Sequence, residues 1–295
     1  MSMLTEAYWM TDGDYEHLRH ILPKFSQYAC EYKSHSRMKE FRWNKSIAMI
    51  YTSNKLEGTL PKSAQEHETY RILSELFAGS EIDTHLTENW KADGETSDGC
   101  VSKAQMIHHL NAYRYLCETQ TDGKYLYERE LSSEIILRAH QLLMQNATYE
   151  NGERIPHGYR THSVHAGDYV YLSHEYIAPS VEKIVRAFNY DKKVGEKNPI
   201  IIAANLFYDL ITVHPFADGN GRLCRLLAAF ALLSVGVPFP VSLTSGRSRS
   251  RRHYIDCILK ARRMGSDRKY LYTLFATSVE LGWSNFIGNL YFECV

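Results

Sequence analysis

Two long apolar runs, Pro199 to Val213 and Leu223 to Leu233, are separated by a short and very polar stretch that begins at His214 and continues to Arg225. Runs this apolar read as helices of the core rather than of the surface. A cluster of His, Asp, Asn, two Gly and two Arg held between two such helices needs a reason to be there. The residue before a proline is pushed out of the helical region, so His214, ahead of Pro215, is expected to end the first helix with its ring facing a cleft. Phe216 reads as an apolar anchor for the loop. Gly219 and Gly221 bracket Asn220, which allows a tight turn with exposed backbone N–H groups directly ahead of the second helix. Such donors at a helix N-terminus make an anion site. Arg222 and Arg225 are three apart and are expected to share a face of the first turn. Asp218 beside them suggests a divalent cation bridging to phosphate oxygens. The set suits a nucleotide polyphosphate with Mg²⁺ and a base aimed at an incoming nucleophile. The Gly-x-x-x-x-Gly-Lys-Ser/Thr pattern is absent, which excludes a classical P-loop.

The chain has 295 residues, 44% hydrophobic and 23% charged, with a formal net charge of zero. That is enough for one large or two small domains, and it implies no global attraction to nucleic acid or to a membrane surface. Six cysteines are scattered without a Cys-x-x-Cys pair, which argues against a zinc ribbon or a disulfide scaffold and fits a reducing compartment. Met1 to Tyr15 has no apolar segment and does not read as a signal peptide, and Leu226 to Val237 is too short to span a bilayer. A cytoplasmic chain is the expectation.

Periodicity predicts a mostly α fold. Helices are expected over Tyr15 to Tyr32, Lys39 to Leu56, Pro61 to Phe77, Val101 to Glu118, Ser132 or Ser133 to Gln145, Pro179 to Asn189, Tyr254 to Arg263 and Tyr270 to Leu281. Glu57-Gly58 reads as a helix stop. Ala78 to Gly99 is polar and aperiodic and is expected to be a surface loop or hinge. The convincing strand signal is Arg160 to Val164 and Tyr169 to Leu172 around Ala166-Gly167-Asp168, a β-hairpin.

The stretch His214 to Arg225 resembles the Fic family motif, His-x-Phe-x-(Asp/Glu)-Gly-Asn-Gly-Arg-x-x-Arg, at every specified position. Gly158-Tyr159-Arg160 and the hairpin after it resemble the flap that precedes this motif in the family. Ser53-Asn54-Lys55-Leu56-Glu57-Gly58 resembles the inhibitory motif, (Ser/Thr)-x-x-x-Glu-(Gly/Asn), of members whose inhibitory helix precedes the core. The resemblance implies a helical bundle with a hairpin flap. It divides the chain into N-terminal helices over 1–78, a linker over 79–100, the Fic core over 101–276 and a helical extension over 277–295.

The same resemblance implies transfer of AMP from ATP to a Ser, Thr or Tyr hydroxyl of a target protein, with the chain itself among the targets. His214 would be the base, and Asp218 would hold Mg²⁺ or Mn²⁺. Gly219, Asn220, Gly221 and Arg222 would hold the phosphates, and Arg225 would contact the γ-phosphate. Ser53 and Glu57 would be inhibitory, Glu57 by a buried bidentate pair with Arg225 that biases the nucleotide pose by about 2–4 kcal/mol. In relatives this Glu also serves removal of AMP. Thr161, Ser163 and His165 of the flap would meet the target, Val164 would lie near the nucleotide, and Tyr254 would pack near base or ribose. Homodimers are common in the family. Transfer of UMP, phosphocholine or phosphate, or a non-catalytic nucleotide sensor, are the alternatives. Gly221 argues against the kinase-like variant, which has Lys there, and intact His214 and Asp218 argue against the sensor.

Other clusters read as ordinary. Arg247, Arg249, Arg251 and Arg252 are expected in a solvated loop rather than on nucleic acid. His157, His162, His165 and His174 lack a Cys or carboxylate at ligand spacing for zinc. His140, on an apolar helix, reads as a core histidine.

Overall fold

The computed structural model describes residues 23–25, 27–60, 73–75, 98–118, 126, 128–149, 151–167, 169–263 and 268–292. Its helices are α1 (Met38–Leu56), α2 (Asp98–Cys117), α3 (Ser133–Leu143), α4 (Ile177–Val194), α5 (Pro199–Val213), α6 (Asn220–Ser234), α7 (Ser248–Arg263) and α8 (Lys269–Phe292). Strand β1 (His165–Ala166) pairs antiparallel with β2 (Tyr169–Val170), His165 opposite Val170 and Ala166 opposite Tyr169. The expected mostly α fold with a hairpin is the fold observed. No helix among the described residues is long and apolar enough to cross a membrane.

Local sequence sets most helix ends. Asn198 caps α5 by accepting the Ile200 N–H at 2.9 Å, with Pro199 in the first-turn position that needs no donor. Ser132 caps α3 through the Ile135 N–H. Past α1, Gly58 takes φ 69°, the left-handed conformation that ends helices.

Helix α6 is the axis of the bundle: Asn220 and every residue from Arg222 to Ser234 are buried. It packs chiefly on α5 and also touches α1, α2 and α3, while α5 is backed by α4 and α8. One hydrophobic cluster runs from Phe25 to Phe286. Within it Phe41 of α1 meets Phe239 and Phe286 edge-on, and Phe239 meets Trp283 of α8. The N-terminal segment and the C-terminal helix thus share the core of the motif helices.

Several boundaries differ from expectation. Helix α8 runs unbroken across the expected division at 276/277, because Val279, Trp283 and Phe286 continue its buried stripe. Helix α7 begins at Ser248, not Tyr254. The Ser250 hydroxyl accepts the Ser245 N–H and meets Thr244, which organises the turn into that helix. Arg249, Arg251 and Arg252 are therefore exposed on its first turns rather than in a loop. The first expected strand, Arg160 to Val164, is not a strand; the buried Arg160 side chain bends it. The expected helix Pro61 to Phe77, apart from the helical residues 73–75, lies outside the described residues. So do the loop from Ala78 to 97 and the chain before residue 23.

Where α8 crosses the core, a Cβ on Gly282 would run into the Phe239 ring, whereas one on Gly288 would meet nothing within 4 Å. Gly282→Ala is expected to destabilise the protein by about 1–2 kcal/mol, overpacking outweighing helix propensity. Gly288→Ala is expected to stabilise it by roughly 0.5–1 kcal/mol. Urea unfolding of the two variants checks the opposite signs.

Candidate active site

The loop between α5 and α6 is held by side chains from three other segments. His214 closes α5 in the left-handed region, φ 51° and ψ 62°, its N–H bonded to the Leu210 carbonyl at 2.9 Å. Pro215 keeps it out of the right-handed helix, as expected, but the conformation adopted costs on the order of 1–3 kcal/mol for a residue with a Cβ. Arg160 holds it there. Its backbone N–H donates to the Pro215 carbonyl and its Nε to that of His214, at 2.9 and 2.8 Å. Its other nitrogens donate to the carbonyls of His162 at 2.7 Å, Leu172 at 2.5 Å and Val213 at 3.4 Å. One buried guanidinium therefore ties both arms of the flap to the end of α5, and segment 160–163 curves around it.

Asn220 pairs with the Phe216 backbone in both directions, at 3.0 and 2.8 Å. Gly219, φ 78°, provides the cap, so α6 begins at Asn220 rather than Leu223. The expected phosphate turn is thus the first turn of the helix itself. His140 lies flat on the Phe216 ring, 3.7 Å between centroids, and its Nε2 donates to the Asp218 carbonyl at 3.0 Å. It is a core histidine, and it also fixes the loop.

The His214 ring stacks on Tyr171 of the flap at 4.0 Å. Its Nδ1 is buried and lacks a hydrogen bond of ordinary geometry, although the Ile211 carbonyl is near enough to favour the charged ring. Burial dominates, and the cations Arg262 and Arg160 oppose protonation further. Together they outweigh Ile211 and Asp218 and push the ring down to about 4. At neutral pH the imidazole is an uncharged base.

The first intrahelical bond of α6 runs from the Leu223 N–H to the Gly219 carbonyl. The N–H groups of Asn220, Gly221 and Arg222 therefore lead the helix with no intrahelical acceptor, an arrangement suited to an anion. The Gly219 N–H is taken by the Asp218 carboxylate at 2.6 Å. The two arginines diverge, contrary to the shared direction expected of them, because each meets a different wall of the core. Arg222 reaches Gln105 at 3.1 Å, Met144 at 3.4 Å and the far oxygen of Asp218 at 4.0 Å. Arg225 donates its Nε to the Ser53 hydroxyl at 2.8 Å and Nη2 to the Ser53 carbonyl at 3.3 Å. The same Nη2 meets Glu57 Oε1 at 2.5 Å, and Nη1 meets the Tyr254 hydroxyl at 3.4 Å.

Tyr254, the residue expected beside the base or ribose, is buried beneath Arg225. Glu57 touches Arg225 through one oxygen rather than two, since Ser53 and Tyr254 occupy the other donors, and its side chain is 36% exposed. Burial alone would raise the Glu57 carboxyl. Arg225, by charge and hydrogen bond, with help from Arg222 and Arg251, brings it below its ordinary value. A Cβ on Gly221 would lie 2.7 Å from Glu57 Oε1, so the missing side chain is what admits the carboxylate to this helix end.

On the flap, Thr161, Ser163 and His165 are exposed and Val164 is half-buried, and Val170 on the opposite strand is 68% exposed. The Asp218 side chain is 56% exposed at the cleft. One accessible carboxylate beside an anion site fits Mg²⁺, which binds through one or two carboxylates and substrate phosphates. Sequence reasoning missed the roles of His140, Tyr171, Arg262 and the Arg160 side chain. Only Arg160, in the flap-entry tripeptide, had any signal.

The family model described as the Fic/DOC family matches residues 130–232. A Fido domain-containing protein of Dictyostelium discoideum is 31% identical over 135 residues, 45% of this chain and 92% of that protein. The chain belongs to the Fic/DOC family. The protein adenylyltransferase fic-1 of Caenorhabditis elegans is 38% identical over 114 residues, 39% of this chain but only 21% of its own length. In fold, the chain is similar to the solved structure of Fic-1 (residues 134–508) from that worm, TM-score 0.70 at 23% identity, over 94% of this chain and 74% of that one. It is also similar to a Fic domain-containing signaling protein of Bacteroides thetaiotaomicron, TM-score 0.64 at 19% identity, over 93% and 98%.

Like His214, His140 is driven down to about 4 by burial, and His109 lies well below its ordinary value for the same reason, with Arg222 and Arg225 adding to it. Rings held neutral in the fold take up protons on unfolding, so their contribution is complete above about pH 6.5 and lost as pH falls toward 4. Unfolding free energy is expected to fall by roughly 1.4 kcal/mol per pH unit for each such ring. Denaturation curves between pH 7.5 and 4.5 test this; a curve flat across that range sinks the assignment.

Proposed function

We propose that this chain is a protein adenylyltransferase restrained by its own helix α1. The observation that carries this reading is the convergence, on one loop, of an uncharged His214, an open helix N-terminus and a buried arginine that a carboxylate already occupies. The Ile211 carbonyl favours the proton on Nδ1, which leaves Nε2 to accept a proton from a Ser, Thr or Tyr hydroxyl of the target. That oxygen forms a bond to the α-phosphorus of ATP, the bond to the β-phosphate bridge breaks, and pyrophosphate leaves. The N–H groups at the start of α6 and Arg222 hold phosphate oxygens. A divalent cation on Asp218 would neutralise part of the triphosphate charge. The exposed flap edge offers main-chain groups to an extended target segment.

Glu57 and a γ-phosphate compete for Arg225. The single, partly exposed contact reduces the bidentate expectation to about 1–2 kcal/mol, or roughly 5–30-fold in rate. Its second oxygen, which Arg225 does not hydrogen-bond, is the group that would position water for removal of AMP.

Glu57→Gly is expected to raise labelling of the chain or an added target from α-labelled ATP by that factor. Glu57→Gly with His214→Ala is expected to abolish the labelling. Equal labelling by wild type and Glu57→Gly would remove the inhibitory role; equal labelling by both variants would remove His214 as the base. Labelled UTP run in parallel tests the choice of nucleotide.

A further inference from the structure

Arg262, near the C-terminal end of α7, lies at the junction of base and flap. Its guanidinium is over the Tyr169 ring at 4.3 Å and the Tyr171 ring at 5.1 Å. Those two rings meet edge-on at 5.0 Å, and Tyr171 is the ring stacked on His214. Its Nη2 donates at 3.2 Å to the carbonyl of Ile211, in the last turn of α5, while its Nε is buried without a hydrogen-bond partner. Cations are favoured over the faces of aromatic rings and at the C-terminal end of a helix, and Arg262 satisfies both at once. It thereby joins α7 to strand β2 with its continuation and to the turn that carries His214.

We propose that Arg262 is a positioning residue for the base: it clamps the two flap tyrosines and fixes the Ile211 carbonyl beside His214, and so keeps the imidazole oriented when the flap takes up a target. The charged and titratable groups facing His214 are Arg262 from α7, Arg160 from the flap entry, Asp218 from the loop and the Tyr171 ring from the flap. Of the two cations, the Arg160 guanidinium is committed to four carbonyls, those of His162, Leu172, Val213 and His214. Arg262 is the one that reaches the ring stack. Removing a cation beside an imidazole raises its affinity for protons, so the loss of Arg262 moves the acid side of the activity profile upward.

The inference rests on the base role of His214 but is tested by two readouts, one of which needs no turnover. In the Glu57→Gly background, AMP transfer is followed from pH 4.5 to 9 with Arg262, Arg262→Lys and Arg262→Gln. Ring titration of His214 is followed by NMR on histidine-labelled protein. Arg262→Gln is expected to raise the midpoint of the His214 titration and of the acid limb by about one pH unit. It is also expected to lower kcat at pH 7.5 at least tenfold with KM for ATP within twofold. Arg262→Lys keeps the charge but loses the flat stack, so it should keep the midpoint and lose rate. A folded Arg262→Gln protein with native midpoint and native rate overturns the proposal. So does Arg262→Lys behaving as Arg262→Gln does in midpoint, which would assign the effect to packing alone. If Glu57→Gly transfers no AMP whatever residue stands at 262, the transferase reading fails, while the NMR midpoint still decides the role of Arg262.

Discussion

The constraint on which this structure depends is the interruption of its own core. Helices α5 and α6 are apolar on nearly all sides and pack against each other at the centre of the bundle, yet the chain between them is polar. A buried backbone group in such a loop needs a partner away from bulk water. Arg160 serves the carbonyls at the end of α5, Arg262 that of Ile211, Asn220 both polar groups of Phe216, and His140 the carbonyl of Asp218. Each comes from a different part of the chain. The loop is rigid because its satisfaction is distributed, and the left-handed His214 is affordable for the same reason.

That arrangement has a chemical consequence. An imidazole enclosed by a flap ring and two guanidinium groups cannot easily hold a proton, while its outward nitrogen is free. At the other end of the loop, donors of α6 and a buried Arg225 want a negative charge. The site is therefore polarised along one loop, with an uncharged acceptor at one end and an anion trap at the other. In this structure the trap holds Glu57, and the absent side chain of Gly221 is what allows it.

Much of this was legible in sequence where the signal is local. The break at His214-Pro215, the two core helices, the helix start at Ser132 or Ser133 and the stop at Gly58 follow from residue types at fixed spacings. The rest depends on which segments meet. Arg222 and Arg225 are three apart and were expected to point together, but α2 and α3 draw one and α1 the other. Tyr254 was expected at the nucleotide from resemblance; its burial under Arg225 depends on how α7 packs, which periodicity cannot give. The first flap strand was placed five residues early, while the second begins at Tyr169 as expected, because alternation at 160–164 looks the same whether a segment pairs or wraps around a buried arginine. His140 carried no mark at all, since a histidine on an apolar stripe reads identically whether or not its ring nitrogen meets the loop after α5.

The charge states of the Glu57–Arg225 pair bear on how the proposed switch can be thrown. Glu57 is held below its ordinary value and Arg225 above its own, the latter by Tyr254 and Glu57 against the effect of burial. Both stay charged over the range in which the buried histidines leave the fold intact, so acidity cannot release the pair without first threatening the protein. Release then requires a competitor for Arg225 or a movement of α1. The helix is well anchored upstream. Arg42 donates to the Pro238 carbonyl at 2.6 Å, Ser46 meets Tyr113 at 2.6 Å, and Asn54 meets His109 at 3.1 Å. Glu57 itself is only the C-cap, with a left-handed glycine after it and a third of its side chain in solvent. A swing of that one side chain costs far less than withdrawing a helix, so the proposed restraint resides in the C-cap residue of α1 while the helix before it stays in place.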